Sequence, residues 1–166
     1  PGEMRRQVAA AAGMDPTELP FLAELVDVAG EHDRWRPAIE TVLGGSARLL
    51  LVPRDRLQAF SAAIDPLRLR GRLTFEGVPS AEHRDLAGDP DRIAGKLLFK
   101  DHPFSAWVHR HVSDPARNAL CVETAADLAG PGYRVTLAGQ TRSGTRGTHG
   151  RAGTRDIIGF SSADAI

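Results

Sequence analysis

The chain has 166 residues, 42% of them apolar and 25% charged, which suits one globular domain or two small subdomains with an adequate core. Twenty-one basic residues balance twenty-one acidic ones, so whole-molecule attraction to DNA or to an acidic membrane is excluded and any such binding needs a local patch. The one cysteine, Cys121, excludes an internal disulfide framework and suits a reducing cytoplasm, and no apolar run approaches the roughly 18–20 residues that cross a bilayer.

The opening "PGEMRRQVAAAAGM" is helix-prone but lacks the apolar core of a signal peptide, so residues 1–18 are expected to be the end of a longer helix. "FLAELVDV" (21–28), bounded by Pro20 and Gly30, predicts a strand. "DRWRPAIETVLGG" predicts a helix with Trp35, Ile39, Val42 and Leu43 on one face and Gly44 as its C-terminal cap. A short strand (47–52), a helix begun near Pro53 with Leu57, Phe60 and Ile64 inward, and a strand over 71–78 follow. Residues 79–95 are polar, rich in Asp, Gly and Pro, and aperiodic, which predicts a linker.

The alternation then restarts. "KLLFK" predicts a strand, and "HPFSAWVHRHV" a helix with Phe104, Trp107, Val108 and Val112 inward. "NALCV" is a strand, "TAADLAG" a helical turn and "YRVTLAGQ" a strand. The segment "TRSGTRGTHGRAGTR" has glycines at 144, 147, 150 and 153 interleaved with arginines, and the short apolar "DIIGF" closes it. "SSADAI" (161–166) resembles a helix start, with Ser161 or Ser162 as cap and Asp164 in the first turn. Strands interleaved with helices in two halves predict an α/β protein of two lobes, entered and left by helices.

Chemistry is sparsely supported. His109 and His111 are two apart on a helix and face different ways, and neither they nor His102 and Cys121 have a metal-site spacing. Cys121 sits in an apolar strand where a thiol is inert, and Ser46 follows a helix rather than a strand, which is wrong for a nucleophile elbow. An enzyme with a Gly-rich loop around His102, His109, Cys121 or His149 lacks any supporting spacing. The glycine run has no lysine and no following helix, so it is no Walker A loop. Two readings stay open for it: a mobile basic loop that contacts DNA, and a surface where glycines let another backbone approach.

"ELPFLAELVDVAGEHDRWRPAIETVLGGSARLLLVPRD", "LRLRGRLTFEGV" and "YRVTLAGQTRSGTRGTHG" together resemble the hinge domain of structural maintenance of chromosomes (SMC) proteins, over about residues 19–160. "GKLLFKDHPFSAWVHRHV", "ALCVETAADL" and "VTLAGQTRSG" are similar to the bacterial MksB/JetC (Wadjet) type, condensin-like ATPases that act against plasmids. The resemblance implies hinge lobes at 19–78 and 96–160, a linker at 79–95, and coiled-coil arms at 1–18 and 161–166. It implies a non-catalytic homodimerisation hinge that joins two arms in a chromosome-organising or anti-plasmid protein of the nucleoid and cytoplasm. ATP, magnesium and kleisin-type subunits would belong to head domains outside this sequence. The edge of one lobe would pair with the edge of the other lobe in a partner copy, through Gly139, Gly144, Gly147 and Gly150. Arg68, Arg70, Arg72, Arg142, Arg146 and Arg151 are the candidates for DNA contact.

Overall fold

A computed structural model of the chain describes residues 2–84, 88–150 and 158–160. Helix α1 (Gly2–Ala12) begins with Glu3 in its first turn and runs through alanines, the best helix formers. Gly13 stops it in a left-handed conformation (φ 66°). The amides of Gly13 and Met14 donate back to the carbonyls of Ala10 and Ala9, the paired closure that such a glycine makes. Val8 and Ala9 are fully buried.

The expected strand over 21–28 is shorter. Leu22–Leu25 form a 3-10 turn, and only Val26–Val28 is extended, as β1. Glu24 explains the difference. Its carboxylate accepts from the Phe21 amide (2.7 Å) and pairs with Arg5 of α1, whose guanidinium also lies over the Phe21 ring at 5.0 Å. An apolar run buried on every side carries no period to separate a turn from a strand.

Helix α2 (Arg36–Leu43) follows and ends at Gly44 (φ 45°), as its Leu-Gly-Gly sequence predicts. Strand β2 (Leu50–Pro53), helix α3 (Leu57–Ile64) and strand β3 (Phe75–Val78) come next, with β2 and β3 parallel and Phe75 edge-on to Phe60. Then come β4 (Leu97–Phe99), α4 (Ser105–Ser113), β5 (Leu120–Val122), β6 (Tyr133–Thr136), β7 (Thr141–Ser143) and β8 (Arg146–Thr148). The last four make one sheet in the order β5-β6-β7-β8.

Sequence order does not divide the packing. Strand β1 pairs antiparallel with β4, Val26 opposite Phe99 and Val28 opposite Leu97, which joins the first half of the chain to the second. One hydrophobic core contains Leu22, Ile39, Leu50 and Phe60 together with Val108 and Val135. Lys96, buried, donates to the Pro90 carbonyl (2.7 Å) and sits 4.8 Å from the Trp35 ring centre, a second tie between the halves.

Residues 91–94, at the end of the stretch expected to be a linker, are built into the fold. Ile93 is fully buried, and Asp91 and Ile93 bond along the outer side of β5 to Cys121 (2.8 Å) and Ala119 (3.1 Å). A lone isoleucine among polar residues gives no periodic signal, so sequence alone misses it. The chain packs tightly here: a Cβ on Gly95 would lie 1.8 Å from the Asp89 carbonyl oxygen. Gly95→Ala therefore costs about 1–3 kcal/mol of stability or more by overpacking. Gly45→Ala, which meets nothing within 4 Å, is close to neutral; chemical denaturation of the two variants checks the contrast.

Candidate functional site

The glycine-arginine segment is a β-hairpin where it is described. Thr141–Ser143 pairs antiparallel with Arg146–Thr148, Ser143 opposite Arg146 and Arg142 opposite Gly147. The two-residue connection Gly144-Thr145 puts glycine at φ 61°, the positive value that the first position of a type II′ hairpin turn requires. The hairpin stands on the core through Thr141, which is buried and shares a hydroxyl hydrogen bond with Thr148.

Among the described strands, β8 alone is exposed at every position. It ends its sheet, and no described residue pairs along its outer side. In an antiparallel ladder the backbone groups alternate between facing the partner and facing away. With the paired residues flanking the turn at Ser143 and Arg146, Gly147 turns its N–H and C=O outward. The segment's central glycine thus sits where another backbone can come close. Two other edges are covered: β2 by residues 20–22, with Leu51 bonded to Pro20 (2.8 Å) and Leu22 to Leu49 (2.9 Å), and β5 by residues 91–93.

The candidate residues do not all meet. Gly144 and Gly147 belong to the hairpin, and Gly150 (φ 97°) follows it. Gly139 (φ 89°) lies in the turn between β6 and β7 and faces α2 instead, where a Cβ would come 2.9 Å from the Thr41 hydroxyl. Arg142 and Arg146 are on the hairpin, whereas Arg68, Arg70 and Arg72 occupy the stretch between α3 and β3. Arg151 lies outside the described residues, as do residues 161–166. Sequence reasoning missed Arg134, directly across from Arg142 on β6 and fixed by the carbonyls of Pro131 (3.2 Å) and Asp127 (3.1 Å). It also missed Glu76 on β3, although the alternation of "LTFEGV" held the signal.

The fold has close counterparts. The chain aligns over 98% of its length with the Pyrococcus furiosus Smc hinge domain solved with an extended coiled coil, at 21% identity and TM-score 0.61, and spans 61% of that chain. It aligns over 98% with the Geobacillus stearothermophilus SMC hinge domain, solved as an asymmetric dimer, at 20% identity and TM-score 0.54, covering 79% of that chain. The fold is that of an SMC hinge domain. A chain from the folded elbow of cohesin also aligns over 98%, at 15% identity and TM-score 0.65, with 24% of that chain covered. No protein-family model and no curated protein sequence matches the chain.

Within this hinge fold the titratable residues go to separate neighbours. His109 meets Phe99 edge-on (4.9 Å), while His111 stacks on Trp107 (4.9 Å) and bonds to Ser46 Oγ through Nε2 (3.1 Å). His102 Nδ1 accepts from the Phe104 amide (3.0 Å). No group of three or more metal-ligating side chains occurs among the described residues, and no described helix is long and apolar enough to cross a membrane. Burial pushes the Cys121 thiol up to about 11, so it stays protonated and unreactive at neutral pH.

Burial lowers the pKa of His102, His109 and His111 below 6.5, helped by Lys100, His83 and Arg117 respectively. Asp114 opposes the shift at His111. The unfolded chain therefore binds more protons than the folded one as pH falls through this range, so stability rises with pH. The contribution of these rings is complete above the unfolded value and is lost as pH drops through the folded values. Urea midpoints at pH 7.5 and 5.5 check this, with the lower midpoint expected at pH 5.5 and the difference shrinking on His102→Gln.

Proposed function

We propose that this chain is a non-catalytic homodimerisation hinge of an SMC-type protein. The observation that carries the reading is β8, a strand exposed along its whole length at the end of a sheet, in a fold shared with SMC hinges. Exposed strand edges invite pairing with another chain. Two such contacts related by a two-fold axis close into a dimer without leaving a free edge for further growth.

The ends of the described chain support arms. Arg5 of α1 and Phe160 line the same cleft, together with Glu24, Lys100 and His102. In this reading α1 belongs to one arm and residues 161–166 to the other. ATP, magnesium and kleisin-type subunits act at distant heads, in the cytoplasm at the nucleoid. The MksB/JetC type, with its role against plasmids, rests on the sequence resemblance of the second half. DNA contact is a secondary role for Arg142 and Arg146 of the hairpin and for Arg68, Arg70 and Arg72 between α3 and β3, with Arg151, outside the described residues, as a further candidate.

Sedimentation equilibrium from nanomolar to tens of micromolar is the decisive experiment. A reversible monomer–dimer equilibrium is expected, and a monomer at every concentration would contradict the reading. DNA titration across salt separates the secondary role: affinity is expected to fall steeply with salt, by about 0.9 logarithmic units per decade for each phosphate engaged.

A further inference from the structure

The pairing strand of the second copy, and its register, can be read from charge and backbone direction; the inference rests on the dimer reading above. Only two acids lie on the described strands, Asp27 on β1 and Glu76 on β3. Asp27 is 3.5 Å from the Arg36 guanidinium and accepts from the Val28 amide. Glu76 is exposed and forms no ion pair within 4.0 Å among the described residues, and β3 is an end strand like β8. Strand β4, which bears the exposed Leu98, is flanked by Lys96 and Lys100 and repels a basic strand. The only charged residue of β8 is Arg146.

Backbone direction narrows the register. The Leu50 amide donates to the Thr74 carbonyl (3.0 Å), so in the parallel ladder the backbone of Thr74 and Glu76 faces β2. Phe75 and Gly77 then turn their backbone groups outward, as Gly147 does on β8. Setting Gly147 opposite Phe75 in an antiparallel pair brings Arg146 directly opposite Glu76, with the two side chains on one face. The half-buried Phe75 ring then covers the gap left by the glycine, a recognised means of stabilising glycine in a sheet.

We propose that β8 of each copy adds antiparallel to β3 of the other, with Gly147 opposite Phe75 and Arg146 paired with Glu76. The charge pair selects a second copy of this chain and rejects a one-residue slip, which moves Arg146 to the opposite face from Glu76.

Complementary charge reversals test this directly. Glu76→Arg and Arg146→Glu are each expected to weaken homodimerisation by about ten-fold or more at low salt, since like charges oppose each other at both contacts. Mixed together, the two variants restore opposite charges at both contacts of the heterodimer. Fluorescence-detected sedimentation of labelled E76R with unlabelled R146E should give an affinity within about three-fold of the unsubstituted homodimer. A variant that fails to fold could not show this rescue. Two weakened homodimers without heterodimer rescue, or variants that dimerise as before, would overturn the pairing while leaving the hinge reading standing. An unsubstituted chain that stays monomeric would overturn both.

Discussion

Backbone amides and carbonyls that leave water need partners, and this fold meets the requirement with strands only three or four residues long. Among the described residues, sheets of two, two and four such strands have many edges for their size. The chain closes several with its own irregular segments: residues 20–22 lie along β2 and residues 91–93 along β5. The β1–β4 pair turns one face to the core, with Val26 fully buried, while Leu98 on the other face is exposed. Strand β8 is handled differently. It is fully exposed, and its middle residue is a glycine. An edge of this kind is a liability in a monomer and an interface in a dimer.

The end of the fold that carries α1 depends on a buried ion pair. Arg5 and Glu24 join α1 to the turn before β1, and the same Glu24 carboxylate holds the Phe21 amide, so losing either partner strands a charge in a largely dry site at a cost of about 3–5 kcal/mol. Arg36 plays a related part for the returning segment. It donates to the Ile158 carbonyl (3.0 Å) while lying within 4.0 Å of Asp27, Asp33 and Glu40. Ile158 is therefore fastened, as α1 is, to residues of the first half of the chain. In the proposed hinge, movement of an arm passes through polar clamps rather than through loose loops.

Much of this was legible in the sequence because local rules and tertiary context agree. Gly44 ends α2 as its Leu-Gly-Gly predicts, α4 follows its apolar spacing, and the strand expected in "YRVTLAGQ" is present as Tyr133–Thr136. The 3-10 turn at Leu22–Leu25 was not legible, since it exists through Glu24 and the distant Arg5. Ile93 gave no periodic signal although it fills the core. The antiparallel joining of β1 to β4 is a long-range choice that no window of sequence contains. Of the four glycines assigned to one surface, Gly139 serves a close approach to α2, because glycine alone does not say which neighbour it makes room for.

Hydrogen–deuterium exchange followed as a function of protein concentration addresses the central claim most directly, since it reports the edges themselves. The outward amides of Phe75 and Gly147 are predicted to gain protection together as concentration rises through the dimerisation range, while α2 and α4 stay unchanged. Exchange at both strands that is independent of concentration, in a sample shown to dimerise, would contradict it.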